Sequence, residues 1–264
     1  MCEVLYDLLY AYRDYLLETY QPETARTYYK RLCILFEGQS LTNTVSKFDM
    51  EKVLDKLGEI KHKNYFSQAK NALLRFCEFQ GITLSFATME RIRQLEAGTK
   101  KKYRKHEVIY YSRMDKKIKH LKNQKLKLSF QVMVATGLRV SELAGITPDD
   151  CTIKDAGIAF SFVGKGGNRE AATLCAVEYP TLYQRLVEHI ESVPKKKKIF
   201  YSVPYLQQKA RELGFKCHDL RRVYAKLEYK KHRSKKEVME KLRHSSPRTT
   251  NIYLRSKVKL KGGK

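Results

Sequence analysis

Apolar residues recur at spacings of three and four along most of the chain, which is the spacing of an α-helix, and one region departs from it. Residues 151–174 instead hold alternating, β-rich runs that include Ile158, Phe160 and Phe162. A glycine-rich segment, residues 164–168 (GKGGN), interrupts these runs where a hairpin tip is expected. The sequence therefore predicts a mainly α protein with one small antiparallel β-sheet in its C-terminal part.

The first part of the chain has the spacing of four amphipathic helices. The four stretches are residues 5–16, 28–36, 50–57 and 65–79. Pro22 follows Gln21 between the first two stretches, and proline in the first turn is typical of a helix start. We expect residues 1–95 to form a small helical bundle.

A basic segment follows this bundle. Residues 99–105 (TKKKYRK) contain five basic residues in seven, which suits either a solvated linker or a connector that contacts phosphates. We accordingly divide the chain into a helical domain (1–95), a basic linker (96–106) and a second domain (107–264).

Helical spacing resumes in the second domain on both sides of the predicted hairpin. The stretches are residues 118–134, 182–190, 205–213, 218–229, 235–242 and 248–254. Gly137 is a normal residue for ending the first of them. We expect the basic tail, residues 255–264, to be mobile or to dock on a neighbouring subunit.

Charge is distributed unevenly along the chain. The net charge is +25, but residues 1–100 hold 14 basic against 13 acidic residues, and residues 101–264 hold 39 against 15. So strong and one-sided a field attracts a polyanion, and nucleic acid is the usual partner because binding releases counterions. A solubilising surface or affinity for anionic lipid or RNA would also explain this charge.

The sequence also argues against several classes of protein. It contains no run of eighteen apolar residues, which a membrane-spanning helix needs, and its first residues carry acids where a secretory signal has bases. The six cysteines are scattered, with no CxxC pair and no histidine at zinc-ligand spacing. We expect a cytoplasmic protein with reduced, mostly buried thiols, no metal, no cofactor and no membrane partner.

Four short segments carry residue types that suit phosphate chemistry. They are ATGLRVSEL (135–143), GKGG (164–167), HDLRR (218–222) and LRHSSPRTTNIY (242–253). Each alone occurs by chance in many proteins, but their order and separation resemble the catalytic signature of the tyrosine recombinase and integrase family. The resemblance covers the whole second domain, and the matching residues are Arg139, Lys165, His218, Arg221, His244 and Tyr253.

Chemistry gives an independent reason for arginine and lysine in this set. Breaking a phosphodiester without metal requires charge stabilisation on two nonbridging oxygens, which guanidinium groups supply in a fixed bidentate geometry. Arg139 and Arg221 are the candidates, although either one considered alone would more simply be a structural or surface arginine. The resemblance makes Lys165 the acid that protonates the leaving 5′-oxygen, while a hairpin-tip lysine that contacts the DNA backbone is the alternative.

The histidines and the tyrosine complete the predicted site. His218 stands three residues before Arg221, so both face one side of a helix, and its ordinary pKa near neutrality suits proton transfer with tyrosine. The resemblance implies that His244 bonds the phosphate and that Tyr253, nine residues later, is the nucleophile. Tyr224 and Tyr229 lack a matching context, and we interpret them as helix core or surface.

Three further features are local. The family usually has glycine, which allows a close turn, where this chain has Arg243. The local backbone conformation is therefore expected to differ from that of the family, or the arginine simply adds a phosphate contact. Glu142 lies one turn from Arg139 and is expected to orient it. The run at residues 194–198 (PKKKK) is expected to be a solvated loop.

The resemblance implies a function and an architecture. The fold would be a two-domain DNA clamp, with a helical core-binding domain and a catalytic domain. It would act as a site-specific recombinase through a 3′-phosphotyrosyl intermediate, as a homo-tetramer with a dimer on each double-stranded site and a Holliday junction between them. Host DNA-bending proteins would assist it at the nucleoid. A type IB topoisomerase or an inactive DNA-binding regulator are the alternatives.

Overall fold

The computed structural model describes residues 3–37, 49–100, 108–164 and 167–261. The chain divides into two compact units, Met1–Lys105 and His106–Lys264. In the described part of the chain, no helix is long and apolar enough to cross a membrane. All five described cysteines are free, but Cys77 and Cys217 alone among them are buried, so the expectation of mostly buried thiols is wrong.

The first unit is a helical bundle. Its helices are α1 (Glu3–Thr19), α2 (Pro22–Leu35), α3 (Met50–Glu59), α4 (Lys63–Phe79) and α5 (Phe86–Ala97). Tyr12, Leu16, Phe66 and Phe76 are fully buried at its centre, where the Tyr12 hydroxyl donates to the Ala72 carbonyl at 3.1 Å. The core therefore comes from the apolar faces that the sequence spacing predicts.

Helix α5 was not expected from the sequence. Ile92 is its one buried residue, so its apolar spacing is weak. Its start is nevertheless marked, because the Ser85 side chain accepts a hydrogen bond from the Thr88 amide at 3.1 Å, a normal N-cap contact.

The second unit combines helices with two small sheets. Its helices are α6 (Tyr111–Lys119), α7 (Gln124–Thr136), α8 (Val140–Gly145), α9 (Pro180–Glu191), α10 (Val203–Glu212), α11 (Cys217–His232), α12 (Lys235–Lys241) and α13 (Pro247–Leu254). Its strands are β1 (Ile109–Tyr110), β2 (Cys151–Lys154), β3 (Gly157–Val163), β4 (Arg169–Cys175) and β5 (Val258–Lys259). Helix α7 runs through the core, with Phe130 and Val132 fully buried, and contacts α9, α11 and β4.

One predicted helix is two helices in the structure. The stretch 118–134 is divided because α6 ends at Lys119 and α7 begins at Gln124. Asn123 caps α7 by accepting a hydrogen bond from the Leu126 amide at 2.9 Å, so the chain restarts a helix there instead of continuing one. The single-helix prediction is therefore wrong at residues 120–123.

The three-stranded sheet is antiparallel in the order β2-β3-β4. Phe160 pairs with Cys151 on one side and with Ala172 on the other. Ile158, Phe160 and Phe162 are buried on one face, because side chains two apart in a strand point the same way. The hairpin between β3 and β4 thus has a base that is fixed to the core.

The tail packs on its own unit as far as it is described. Strand β5 pairs in parallel with β1, Val258 is buried, and the Lys226 ammonium donates to the carbonyls of Ser256 and Val258 at 2.8 and 2.5 Å. Residues 255–261 therefore pack on their own unit and do not form a free tail, while docking on a neighbouring subunit stays a prediction. Residues 262–264 lie outside the described part.

Candidate active site

The turn between α7 and α8 places Arg139. Gly137 ends α7 in the left-handed region, with φ of 66°, and its amide donates to the Met133 carbonyl at 3.0 Å. A Cβ on Gly137 would lie 2.3 Å from the Tyr224 ring, so glycine is required by close packing as well as by backbone angle. Two residues later the chain enters α8 with Arg139 at its N-cap.

Glu142 orients Arg139, as expected from the sequence. Its carboxylate accepts a hydrogen bond from the Arg139 amide at 2.7 Å and forms an ion pair with the Arg139 guanidinium. Glu142 is buried, whereas the Arg139 side chain is about a quarter exposed, at 28%. The ion pair with Glu142 therefore fixes the orientation of the Arg139 guanidinium, and part of the side chain remains in contact with solvent.

Arg221 is fully buried, which is unusual for arginine. Its Nη1 donates to the Gly137 carbonyl and its Nη2 to the Leu242 carbonyl, and Nη1 lies 3.9 Å from Glu142. Burial, together with the charge of Arg139, lowers the pKa of Arg221 to about 10, which leaves it charged at neutral pH. Its Nε is buried and has no hydrogen-bond partner in the described part of the chain.

His218 and Tyr253 are in direct contact. The Tyr253 hydroxyl lies 2.6 Å from His218 Nε2, and their rings meet edge to face with centroids 5.0 Å apart. Although His218 retains solvent exposure as a residue, desolvation of its ring and the charges of Arg222 and Arg221 lower its pKa to about 4. The imidazole is therefore neutral at pH 7 and can accept the tyrosine proton.

His244 flanks the other side of Tyr253. Its ring meets the Tyr253 ring edge to face at 4.7 Å, and its Nδ1 lies 3.0 Å from the Thr250 hydroxyl. Its Nε2 is buried and has no hydrogen-bond partner in the described part of the chain. Burial and the charges of Arg221 and Arg139 lower the pKa of His244 to about 4.

Helix α13 presents Tyr253 and its support together. Pro247 starts the helix and the Ser246 hydroxyl accepts from the Arg248 amide at 3.3 Å. Thr250 and Tyr253 are both buried and, three residues apart, lie on one face of the helix. Thr250 was not singled out from the sequence, although its spacing from Tyr253 is the signal that would have identified it.

Arg243 adopts a backbone angle that normally favours glycine, with φ of 54°. Its guanidinium lies between two carboxylates, with Nη2 3.1 Å from Glu142 and Nε 3.0 Å from Glu170, and over the Phe162 ring at 4.9 Å. The side chain is committed to these contacts within the protein. Arg243 therefore adopts a backbone conformation that suits glycine, and its side chain forms an ion-pair network.

A cavity of about 510 Å³ opens beside these residues. Arg139, Lys216, His218 and Arg221 line it, with apolar walls from Met133 and other residues. Tyr253 joins this group through His218, and His244 through Tyr253, so five of the six predicted residues lie together in the second unit. Lys165 lies outside the described residues. Among the described residues, no three His, Cys, Asp or Glu side chains are grouped as metal ligands.

The fold, whose second unit holds this cluster of arginine, histidine and tyrosine, is that of a tyrosine recombinase. More particularly, residues 118–259 match the model of the phage integrase family, and the chain belongs to that family. The resemblance drawn from the sequence is therefore confirmed.

Solved structures of similar fold include recombinases bound to DNA. XerH recombinase bound to difH substrate, in a pre-cleavage complex, is 18% identical, with 88% of this chain and 75% of that chain covered and a TM-score of 0.60. The Tn1549 transposon integrase in complex with transposon right end DNA is 13% identical, with 94% and 95% covered and a TM-score of 0.65. A lambda integrase tetramer bound to a Holliday junction is 17% identical, with 94% and 76% covered and a TM-score of 0.62. No curated protein matches the chain.

Proposed function

We propose that this chain is a site-specific DNA recombinase that cleaves and rejoins strands through a phosphotyrosyl intermediate at Tyr253. One observation carries the proposal. The Tyr253 hydroxyl lies 2.6 Å from a neutral imidazole, within a cluster that also holds Arg139, Arg221 and the unpartnered His244 Nε2. A nucleophile, a proton acceptor and anion-binding groups therefore occupy one place.

The first step is phosphate binding. The guanidinium groups of Arg139 and Arg221 contact the nonbridging oxygens, and His244 donates from Nε2 in the tautomer whose Nδ1 accepts from the Thr250 hydroxyl. The bound phosphodiester, which carries one negative charge, offsets part of the charge of the two arginines. It also raises the pKa of both histidines from their low values in the free site, since a negative charge favours the protonated imidazole.

The second step is attack. The Tyr253 oxygen forms a bond to phosphorus while its proton passes to His218 Nε2, and the bond from phosphorus to the 5′-oxygen breaks. The leaving oxygen takes a proton from Lys165, the acid that the family resemblance assigns. The products are a 3′-phosphotyrosyl bond and a free 5′-hydroxyl. Attack of another 5′-hydroxyl on the phosphotyrosine reverses the step, so bond energy is retained without a cofactor.

The assembly belongs to the same proposal. The first unit would be the core-binding domain, which with the catalytic domain closes a clamp on double-stranded DNA. The excess of basic residues after residue 100 favours such a partner. A dimer would bind each site and a homo-tetramer would form the synapse with a Holliday junction, and the neighbour bound to a Holliday junction as a tetramer supports this. Action at the nucleoid with DNA-bending accessory proteins follows from that role.

Covalent trapping tests the proposal. The protein is incubated with a pool of nicked duplexes of randomised sequence. After cleavage, the short fragment that carries the new 5′-hydroxyl diffuses away, and its loss prevents religation. Wild type is expected to form an adduct that survives denaturation, Tyr253→Phe to bind DNA without forming it, and the control Tyr224→Phe to retain it. Absence of adduct from wild type, or its presence in Tyr253→Phe, would contradict the proposal.

Plasmid relaxation separates recombination from topoisomerase activity. A recombinase is expected to act slowly on a supercoiled plasmid that carries one copy of the DNA sequence recovered from the adducts, and to recombine a plasmid with two copies. Efficient relaxation by a monomer, with no recombinant product, would favour the topoisomerase alternative. DNA binding with no adduct on any substrate would favour the regulator.

A further inference from the structure

Arg243 is one of two non-glycine residues with positive φ in the described part of the chain; the other is Arg233. Both follow the last turn of a helix, where this left-handed conformation lets the Arg233 amide donate to the Tyr229 carbonyl at 2.9 Å and the Arg243 amide to the Glu240 carbonyl at 2.8 Å. The two arginines differ in their side-chain contacts. Arg233 is exposed and has no side-chain ion pair among the described residues, whereas the Arg243 side chain is 13% exposed and lies between two carboxylates.

The contacts of Arg243 join three separate elements. Its Nη2 donates to Glu142 of α8 at 3.1 Å, its Nε lies 3.0 Å from Glu170 of β4, and its guanidinium covers Phe162 of β3 at 4.9 Å. The contact between Nε and Glu170 is an ion pair without hydrogen-bond geometry, and Nη1 donates to the Ala171 carbonyl of β4 at 3.4 Å. One side chain therefore connects α8 with both strands of the hairpin.

Each carboxylate continues the connection. Glu142 also binds Arg139, the outermost arginine of the site. Glu170 lies against the backbone of the hairpin, since a Cβ built on Gly164 would be 2.3 Å from its carboxyl carbon. Gly164 closes the described end of the hairpin by donating to the Asn168 carbonyl at 2.8 Å. A continuous series of contacts therefore joins Arg139, Glu142, Arg243, Glu170 and Gly164, in that order.

The two ends would respond differently to the loss of Arg243. Glu142 would retain Arg139, but Glu170 has no other ion-pair partner among the described residues and its side chain is 22% exposed. A half-buried carboxylate without a partner moves toward water. The base of the hairpin is therefore the end that loosens.

We propose that Arg243 is a positioning residue that fixes the base of the β3–β4 hairpin relative to Glu142 and Arg139. Its catalytic consequence rests on the proposed function. That function assigns the proton of the leaving oxygen to Lys165, which directly follows Gly164 in the sequence. Arg243 acts through these groups and contacts no reacting atom.

Hydrogen exchange tests the structural part without any catalysis. In Arg243→Gly the amides of residues 157–175 are expected to exchange about 10-fold or more faster, and those of α13 to be unchanged. Glu170→Gln is expected to produce the same local effect, and the double variant little more than either alone. Arg233→Gly is the matched control, because it relieves the same backbone angle without removing an ion pair. Unchanged hairpin exchange in Arg243→Gly, or an equal increase in Arg233→Gly, would overturn the proposal.

Cleavage kinetics test the catalytic part. On a nicked duplex of the recovered sequence, Arg243→Gly is expected to form adduct about 10- to 100-fold more slowly than wild type, since small displacements of catalytic groups carry costs of this size. A duplex with a 5′-thiol leaving group needs no acid, so it is expected to restore most of the rate to Arg243→Gly, as to Lys165→Ala. Equal slowing on both duplexes would overturn the positioning role.

These two experiments distinguish a failure of the Arg243 proposal from a failure of the proposed recombinase activity. If wild type forms no adduct, the proposed recombinase activity is wrong, while hydrogen exchange still decides whether Arg243 fixes the hairpin. If wild type forms adduct and Arg243→Gly neither loosens the hairpin nor slows cleavage, the recombinase activity stands and the role of Arg243 is refuted.

Discussion

The buried imidazole of His244 makes the stability of the second unit depend on pH between 7 and 5. Burial and the neighbouring charges of Arg221 and Arg139 lower its pKa from the ordinary 6.5 to about 4. His244 is 8% exposed, so solvent screens this effect little. In the unfolded chain the same histidine recovers its ordinary pKa and takes up a proton first.

The sign and size follow from proton linkage. Because the pKa of the folded form is the lower one, the contribution is complete above pH 6.5 and is lost as the pH falls from 6.5 toward 4. At pH 5 the unfolded histidine is almost fully protonated and the folded one mostly neutral, which costs about 2 kcal/mol of stability relative to pH 7. His218 contributes in the same direction, but its exposure to solvent reduces the amount.

Urea unfolding followed by circular dichroism measures this difference. The free energy of unfolding is determined at pH 7 and pH 5 for wild type and His244→Gln, in the absence of DNA. Wild type is expected to lose about 2 kcal/mol more than the variant between the two pH values. Other titrating groups are common to both proteins and cancel. An equal loss in the two proteins would show that His244 titrates normally in the fold and would refute its assignment as a buried, neutral donor.

Two further predictions concern backbone contacts around the site. Gly137→Ala combines a positive φ with a Cβ 2.3 Å from the Tyr224 ring, so we expect the free energy of unfolding in urea to fall by about 2–4 kcal/mol. Gly214→Ala is the control, with an expected fall of about 1 kcal/mol, because φ is also positive there but the nearest contact is at 3.4 Å. Equal losses would contradict the packing argument. Lys226→Met removes the hydrogen bonds to the carbonyls of Ser256 and Val258, so the rate of amide hydrogen exchange around Val258 should rise about 10-fold or more. An unchanged rate would mean that strand pairing alone holds the tail.

The elements that the sequence predicts are those with long, regular apolar spacing. The helices after residue 175 lie close to their expected bounds, because each buries a face wide enough to show in the spacing. Helix α5 buries one residue and shows no such signal. Strands β1 and β5 are two residues each and pair across most of the second unit, so no local pattern could reveal them.

The candidate site could be predicted to the extent that its residues lie in short ordered segments. Their order pointed to Arg139, His218, Arg221, His244 and Tyr253, and the fold brings these together. The contact of Arg243 with Glu170 depends on how α12 meets the hairpin, which is a tertiary property without a local signature. The role of Lys165 stays a prediction.

The attachment point of the DNA tests the central claim most directly. Covalent complexes from the nicked duplexes are digested with nuclease and protease, and mass spectrometry locates the nucleotide-bearing peptide among the 18 tyrosines of the chain. We predict a single modified residue, Tyr253, carrying a 3′-phosphate link. Attachment at any other tyrosine, or at no tyrosine, would contradict the proposed mechanism.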